Sequence, residues 1–264
     1  MAQQWTTISE DRRGGPAVLA VDFDATGRKE ATFHDLVELF PGSRTLRLSV
    51  QPPDSHDGAL APDDYLSWWG GGATASPAGV GAVVGYCAGS LFACSLADEL
   101  EQRQGSRPNV VLFNPGKPDA TTLKRDFDGT VGSMSLLKPD ERDAFLEEAA
   151  VRLAETADAF GDACDAVLDL YDRASRITLE RAGVDADVGA ELMGVFRSYA
   201  SYLRAARLIE YRPEWASATA LLSLEHVGKP VFAHKEIPTG VAREQLLANT
   251  GVARTAFRLI TAEE

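Results

Sequence analysis

The segment Gly85-Tyr86-Cys87-Ala88-Gly89-Ser90 holds the chain's best candidate for covalent chemistry. It lies between an apolar run of strand type, Val80 to Tyr86, and LFACSLADELEQRQG, whose apolar residues recur at helical spacing and whose Gly105 is a C-terminal stop. A thiol set in a sharp strand-to-helix turn needs a strained backbone at its own position. Small residues two before and two after it let strand and helix approach closely enough to hold that strain, and Gly85 and Gly89 stand at both places. Such a turn raises the central side chain over the sheet at a helix N-terminus, whose partial positive charge favours a thiolate. Cys87 is therefore the expected nucleophile. The backbone N–H of Ala88 is expected to supply half of an oxyanion hole, with the other half from the turn after the first strand, near Ala25. The bland alternative makes Cys87 one more buried small residue. Cys94, two helical turns further on, and Cys164 read as packing. Three cysteines without a CxxC pair suit neither a disulfide framework nor a zinc site, and no metal or organic cofactor is indicated.

A nucleophile of this kind is usually served by a histidine. His34 begins a predicted helix, His56 sits in the polar loop QPPDSHDG and His226 lies in a turn; all three read as structural or solvated. His234 is expected to end a strand at the carboxyl edge of the sheet, where sheet enzymes place their reactive side chains, and is the candidate base. Asn114 would then orient its imidazole, with Glu236 and Asp119 as other possible orienters. A Cys-His-Asn arrangement is chemically sufficient, because an ionised thiolate needs no carboxylate behind the histidine.

The elements that must position these residues read as an α/β fold. Ala17 to Phe23 and Thr45 to Val50 are strand-like runs flanking a helix, HDLVELF, closed by Pro41-Gly42. Pro62 to Trp69 reads as a helix ended by Gly70-Gly71-Gly72, and NVVLF as a strand broken by Pro115-Gly116. Strands apolar on both faces and alternating with helices indicate a mostly parallel sheet covered on two sides. From 121 to 222 the pattern becomes acidic amphipathic helix only, a helical lid inserted between 1–120 and 223–264 of one core. Alternation then resumes with a strand PVFAH, a helix VAREQLLANTG and a last strand TAFRLI. A formal charge of −13 argues against a nucleic-acid partner, and no apolar run approaches the ~20 residues that cross a bilayer. The N-terminal residues show no secretory signal, so a cytoplasmic protein is expected.

With these residues in view, the chain resembles the thioesterases of nonribosomal-peptide and polyketide assembly lines, a branch of the α/β-hydrolase fold. The specific stretch is VGYCAGSLFACSLADELEQRQGSRPNVVLFNPGKP, similar to that family's elbow, following helix and next strand, with cysteine in place of the usual serine. PAVLAVDFDATGRKEATFHDLVELF resembles its oxyanion turn and first helix, 121–222 its lid, and ALLSLEHVGKPVFAHKE its penultimate strand. The family usually carries Asp after the strand that follows the elbow, where Asn114 stands here, or after the penultimate strand, read here around His234-Lys235-Glu236. Its general base is a His just after the final strand; with TAFRLI as that strand, the place reads Thr261-Ala262-Glu263-Glu264 and the base is missing.

The resemblance implies an acyl or aminoacyl substrate presented on the phosphopantetheine arm of an acyl- or peptidyl-carrier protein. A cysteine attacking a thioester forms another thioester, nearly isoenergetic, so its acyl group is poised for a second thiol as readily as for water. In VFRSYASYLRAARLIEYR, Arg197, Arg204, Arg207 and Arg212 make the one basic and aromatic stretch of an acidic chain, with Arg197, Arg204 and Arg207 the docking candidates for an acidic carrier; a solvated helix face is the alternative. Three readings of function stay open: a thioesterase or acyltransferase working through Cys87, a catalytically silent homologue that binds a carrier or acyl ligand, and a cysteine hydrolase of dienelactone type, which would need a clear Asp and His in the last third, where only His234 is at hand.

Overall fold

The runs AVLAV, VGAVVGY and NVVLF bury nearly every residue, and in the computed structural model each is an interior parallel strand. Residues 3–24, 30–73, 78–156, 159–229 and 232–261 are described. Among them the elements run β1 (Trp5–Ser9), β2 (Ala17–Val21), α1 (Phe33–Glu38), β3 (Leu46–Ser49), α2 (Pro62–Ala73), β4 (Val80–Tyr86), α3 (Gly89–Gln104), β5 (Asn109–Phe113), α4 (Ala120–Ser133), α5 (Pro139–Glu155), α6 (Phe160–Ala182), α7 (Ala186–Leu208), β6 (Thr219–Leu222), β7 (Lys235–Pro238) and α8 (Thr250–Thr261). The strands form one sheet in the order β1-β3-β2-β4-β5-β6-β7, antiparallel only between β1 and β3. Alternate strand residues feed two cores. Leu19, Val21, Val83 and Leu112 pack under α2, α3 and the lid, whereas Val18, Val84, Val111 and Phe113 pack under α1 and α8.

The structure departs from the sequence-based expectation in four places. β1 is an additional edge strand. Helix α2 runs on through the three glycines to Ala73, because they serve close packing: a side chain at Gly72 would meet Trp5 Cδ1 at 2.9 Å. The lid comprises α4 to α7 and ends near Leu208, since Thr219–Leu222, a four-residue buried run too short to be told from helix, is β6 of the main sheet.

The largest difference is at the C-terminal end. Of PVFAH, Pro230 and Val231 lie outside the described residues and Phe232 to His234 form no strand; the strand is the next segment, KEIP, at the exposed edge of the sheet. Of VAREQLLANTG, Arg243–Gln245 form a 3-10 turn, and Thr250 and Gly251 already begin α8. TAFRLI belongs to α8, where Val252, Ala253, Ala256, Phe257 and Ile260 recur at helical spacing on the buried face and Asn249 Oδ1 accepts from the N–H groups of Gly251 and Val252. β7 is therefore the final strand, and the turn that follows it is Thr239-Gly240-Val241-Ala242-Arg243. Among the described residues no helix is long and apolar enough to cross a membrane.

Candidate active site

Strand β4 delivers Cys87 to the carboxyl edge of the sheet in the expected conformation. Cys87 has φ 50°, in the left-handed region that non-glycine residues rarely adopt, and it is partly exposed. Its neighbours hold it there. The Cys87 N–H donates to the Phe113 carbonyl at 2.9 Å, the Ser90 N–H donates to the Cys87 carbonyl at 3.1 Å, and Ser90 Oγ donates to the Gly85 carbonyl at 3.1 Å. A Cβ on Gly85 would lie 2.6 Å from Ser90 Cα, and one on Gly89 would run into the Val21 carbonyl oxygen and stand 2.7 Å from the Tyr202 hydroxyl. Both glycines are thus required by close approach, the reason inferred from their spacing.

Ala88 opens α3 one residue beyond the sulfur, and its N–H takes no part in the backbone bonds described for the elbow. Ala25 lies outside the described residues. Cys94 and Cys164 are fully buried; burial pushes the Cys94 thiol far up and the Cys164 thiol up to about 12, so both belong to the core.

The residue at the sulfur is one that the sequence did not single out. Arg243 Nη2 donates to Cys87 Sγ at 3.6 Å. Its Nε donates to Glu30 Oε1 at 3.1 Å, and the guanidinium sits 5.7 Å from the centre of the Tyr86 ring. Burial opposes the charge of Arg243, yet the sulfur of Cys87, the Tyr86 phenol and Glu30 raise its pKa well above the ordinary arginine value. Burial likewise opposes the Glu30 carboxylate, while its own backbone N–H and Arg243 hold it below the usual carboxylate range. Glu225, just past the end of β6, accepts from the Arg243 backbone N–H at 2.8 Å and ties down the turn that carries it. Glu225 follows β6 and Arg243 follows β7, the last two strands of the sheet.

His234 does not reach this edge. It precedes β7 at the amino end of a parallel strand, exposed, with its N–H on the Ala216 carbonyl at 3.0 Å. Four residues of strand, roughly 13 Å at about 3.3 Å each, separate it from the end of β7 that faces the elbow side. Glu236 lies within β7, exposed, and Asp119 caps α4 through Thr122 N–H.

Asn114 does stand beside the elbow, at the end of β5, with φ 47° and a fully buried side chain. Its Oδ1 accepts from Ser223 N–H at 2.8 Å, so it stitches the ends of β5 and β6 and orients no imidazole; its Nδ2 has no partner among the described residues. His226 is buried in the turn after β6. Its Nε2 bonds the Pro115 carbonyl at 2.9 Å and so carries the proton. Burial lowers its pKa, with Lys229 and Arg243 adding to the effect against the Pro115 bond, which leaves it a neutral structural group.

Helix α7 packs over the same edge. Tyr199 and Tyr202 of α7 pack on Phe23, which follows β2, at ring separations of 5.0 and 5.5 Å. Tyr199 donates to the Asp126 carboxylate of α4; burial, Asp126 and the Cys87 sulfur raise its pKa far above the usual phenol value. Arg125 pairs with Asp126 at 2.7 Å and lies within electrostatic reach of both Cys87 and Arg243. The proposed docking arginines are bound elsewhere: Arg197 pairs with Asp172 at 2.6 Å, Arg204 with Asp165 at 2.7 Å, and Arg207 lies over the Phe160 ring at 5.9 Å. They tie α7 to α6 and do not form a free basic face.

No family model matches the chain, and no curated protein matches it. Solved structures do. The four-domain nonribosomal peptide synthetase AB3403, in holo form with AMP and glycine, is similar at TM-score 0.51 and 14% identity, over 94% of this chain and 19% of that one. The NocB thioesterase domain in covalent complex with a fluorophosphonate nocardicin G analogue gives TM-score 0.48 and 15% identity over 94% and 95% of the two chains. The Vlm2 thioesterase domain with a bound dodecadepsipeptide gives 0.48 and 13% over 98% and 97%. At 14% identity the likeness to AB3403 is one of fold alone.

Proposed function

We propose that this protein is a thioesterase-like acyltransferase of natural-product biosynthesis that accepts an acyl or aminoacyl group from a carrier-protein thioester onto Cys87 and hands it on. The observation that carries this reading is Cys87 itself, partly exposed at φ 50° between β4 and the N-terminus of α3. Strain of that kind, about 1–3 kcal/mol, persists where a side chain is being presented. In the proposed step the Cys87 thiolate attacks the thioester carbonyl. A new C–S bond forms, the oxyanion is met by the Ala88 N–H, and the C–S bond to the carrier arm breaks with its electron pair leaving on the arm's sulfur. The step needs neither metal nor organic cofactor.

One observation favours a catalytically silent homologue instead: the group on the sulfur is a guanidinium, which takes no proton. A single experiment separates the two. Acyl-loaded carrier protein is mixed with the protein and the intact mass measured; an adduct that is absent in Cys87→Ala is the expected result. No adduct from any carrier of its own pathway would leave the silent reading standing.

A further inference from the structure

We infer that Arg243 is the counter-ion of the Cys87 thiolate and that, standing where a general base would serve hydrolysis, it makes Cys87 an acyl carrier that discharges to thiols in preference to water. The second half rests on the function proposed above; the first half does not.

The geometry is specific. Arg243 touches the reacting atom through Nη2 at 3.6 Å while its Nε is fixed by Glu30 at 3.1 Å. The side chains of Arg243 and Glu30 are only 17% and 18% exposed, so this ion pair is shielded from solvent screening. Glu225 holds the backbone of the same residue at 2.8 Å, so the turn and the guanidinium are oriented from two sides. Among the described residues no imidazole bonds the sulfur; His226 is committed to Pro115 and His234 lies at the opposite edge of the sheet.

A guanidinium donates hydrogen bonds and does not accept a proton in a protein. It stabilises an anionic sulfur and is useless for deprotonating an attacking nucleophile. Loading requires that Cys87 has first lost its proton to solvent. The electron pair of the broken C–S bond leaves on the departing thiol, which is protonated by water. Discharge runs the same step backwards with an acceptor that must arrive ionised. A free thiol, with a pKa of about 8.5, is a few per cent thiolate at neutral pH, whereas water, with a pKa of about 15.7, is ionised to a negligible degree. With no imidazole on the sulfur among the described residues, ionisation of the acceptor selects it, and the arginine there keeps the sulfur reactive.

The test uses two readouts on wild type, Arg243→Met, Arg243→Lys and Arg243→His, each checked for an unchanged circular-dichroism spectrum. Alkylation of Cys87 by iodoacetamide at neutral pH is followed by mass, with buried Cys94 and Cys164 as unreactive controls. We expect the rate to fall about tenfold or more in Arg243→Met and to be largely retained in Arg243→Lys. Equal rates in wild type and Arg243→Met would overturn the counter-ion assignment, whatever the substrate. The acetyl and hexanoyl thioesters of N-acetylcysteamine are then used to load Cys87, the protein is desalted, and the adduct is chased in buffer alone or with free N-acetylcysteamine. Wild type should persist in buffer and discharge to the thiol, while Arg243→His should lose its acyl group to water at least about tenfold faster than wild type. Wild-type adduct that hydrolyses as fast as it transfers would overturn the acceptor preference. Failure to load from either probe or from carrier thioesters, with the alkylation difference intact, would count against the proposed function and leave the ion pair standing.

Discussion

Cys87 pays for its position with backbone strain, and the compensation is local. A left-handed cysteine is worth about 1–3 kcal/mol of unfavourable energy unless its surroundings over-determine it. Here the bonds to Phe113 and from Ser90, and the glycines at 85 and 89, supply that. Gly89 is the tightest of these, because the obstruction on one side is the Val21 carbonyl, a backbone atom that cannot turn away. Gly89→Ala is expected to destabilise the fold by about 2–3 kcal/mol, at the upper end of overpacking costs, and to lower thermal stability measurably. It should also slow iodoacetamide modification or loading of Cys87 more than an equally destabilising change in the lid does. An alanine variant with wild-type melting temperature would mean that α3 is free to slide away from β2. The steric logic of this turn was legible in five residues of sequence, since glycines two before and two after a cysteine, between a strand pattern and a helix pattern, fit a tight elbow and little else. Arg243 was not legible, because its role depends on which segment is the last strand.

That dependence is a matter of elements. The interior strands were readable because burial on both faces forces continuous apolar runs, and the elbow's neighbours β4, α3 and β5 have the bounds their composition suggests. β7 escaped for the opposite reason. As the edge strand it carries Lys235 and Glu236 exposed, whereas TAFRLI has the β-branched and aromatic residues of a strand and is helical. Moving the final strand by some twenty residues moved the expected base site from the chain's end to Arg243. The turn after β6 offers a test of how the two strand ends are joined. His226, buried and hydrogen-bonded to Pro115 with Lys229 and Arg243 nearby, has its pKa lowered from 6.5. A folded-state imidazole that resists protonation contributes stability that is present above the unfolded pKa and is lost as pH falls below about 6.5. Melting temperature should therefore decline on acidification from that point, and His226→Gln, which keeps a donor toward Pro115, should remove this part of the decline. A slope below pH 6.5 identical in both proteins would show that the turn opens before the imidazole titrates.

At the scale of the molecule the decisive quantity is charge. The chain carries −13, and of the α7 arginines that a docking face would use, Arg197 and Arg204 are paired with Asp172 and Asp165 of α6 while Arg207 lies over the Phe160 ring. An acidic carrier protein would thus meet a like-charged surface, and long-range electrostatics would hinder the encounter. Affinity for such a carrier would then have to come from short-range contact. Raising ionic strength from about 0.01 M to about 0.15 M shortens the Debye length from about 30 Å to about 8 Å and screens that repulsion. The initial rate of Cys87 loading from an acidic carrier should accordingly stay level or rise over this range, and Arg197→Ala should lower thermal stability without a matching loss of loading rate. A loading rate that falls steeply with salt, and falls again in Arg197→Ala at low salt, would mean that α7 releases its carboxylate partners to bind the carrier. Docking would then require the lid helices to exchange one set of ion pairs for another.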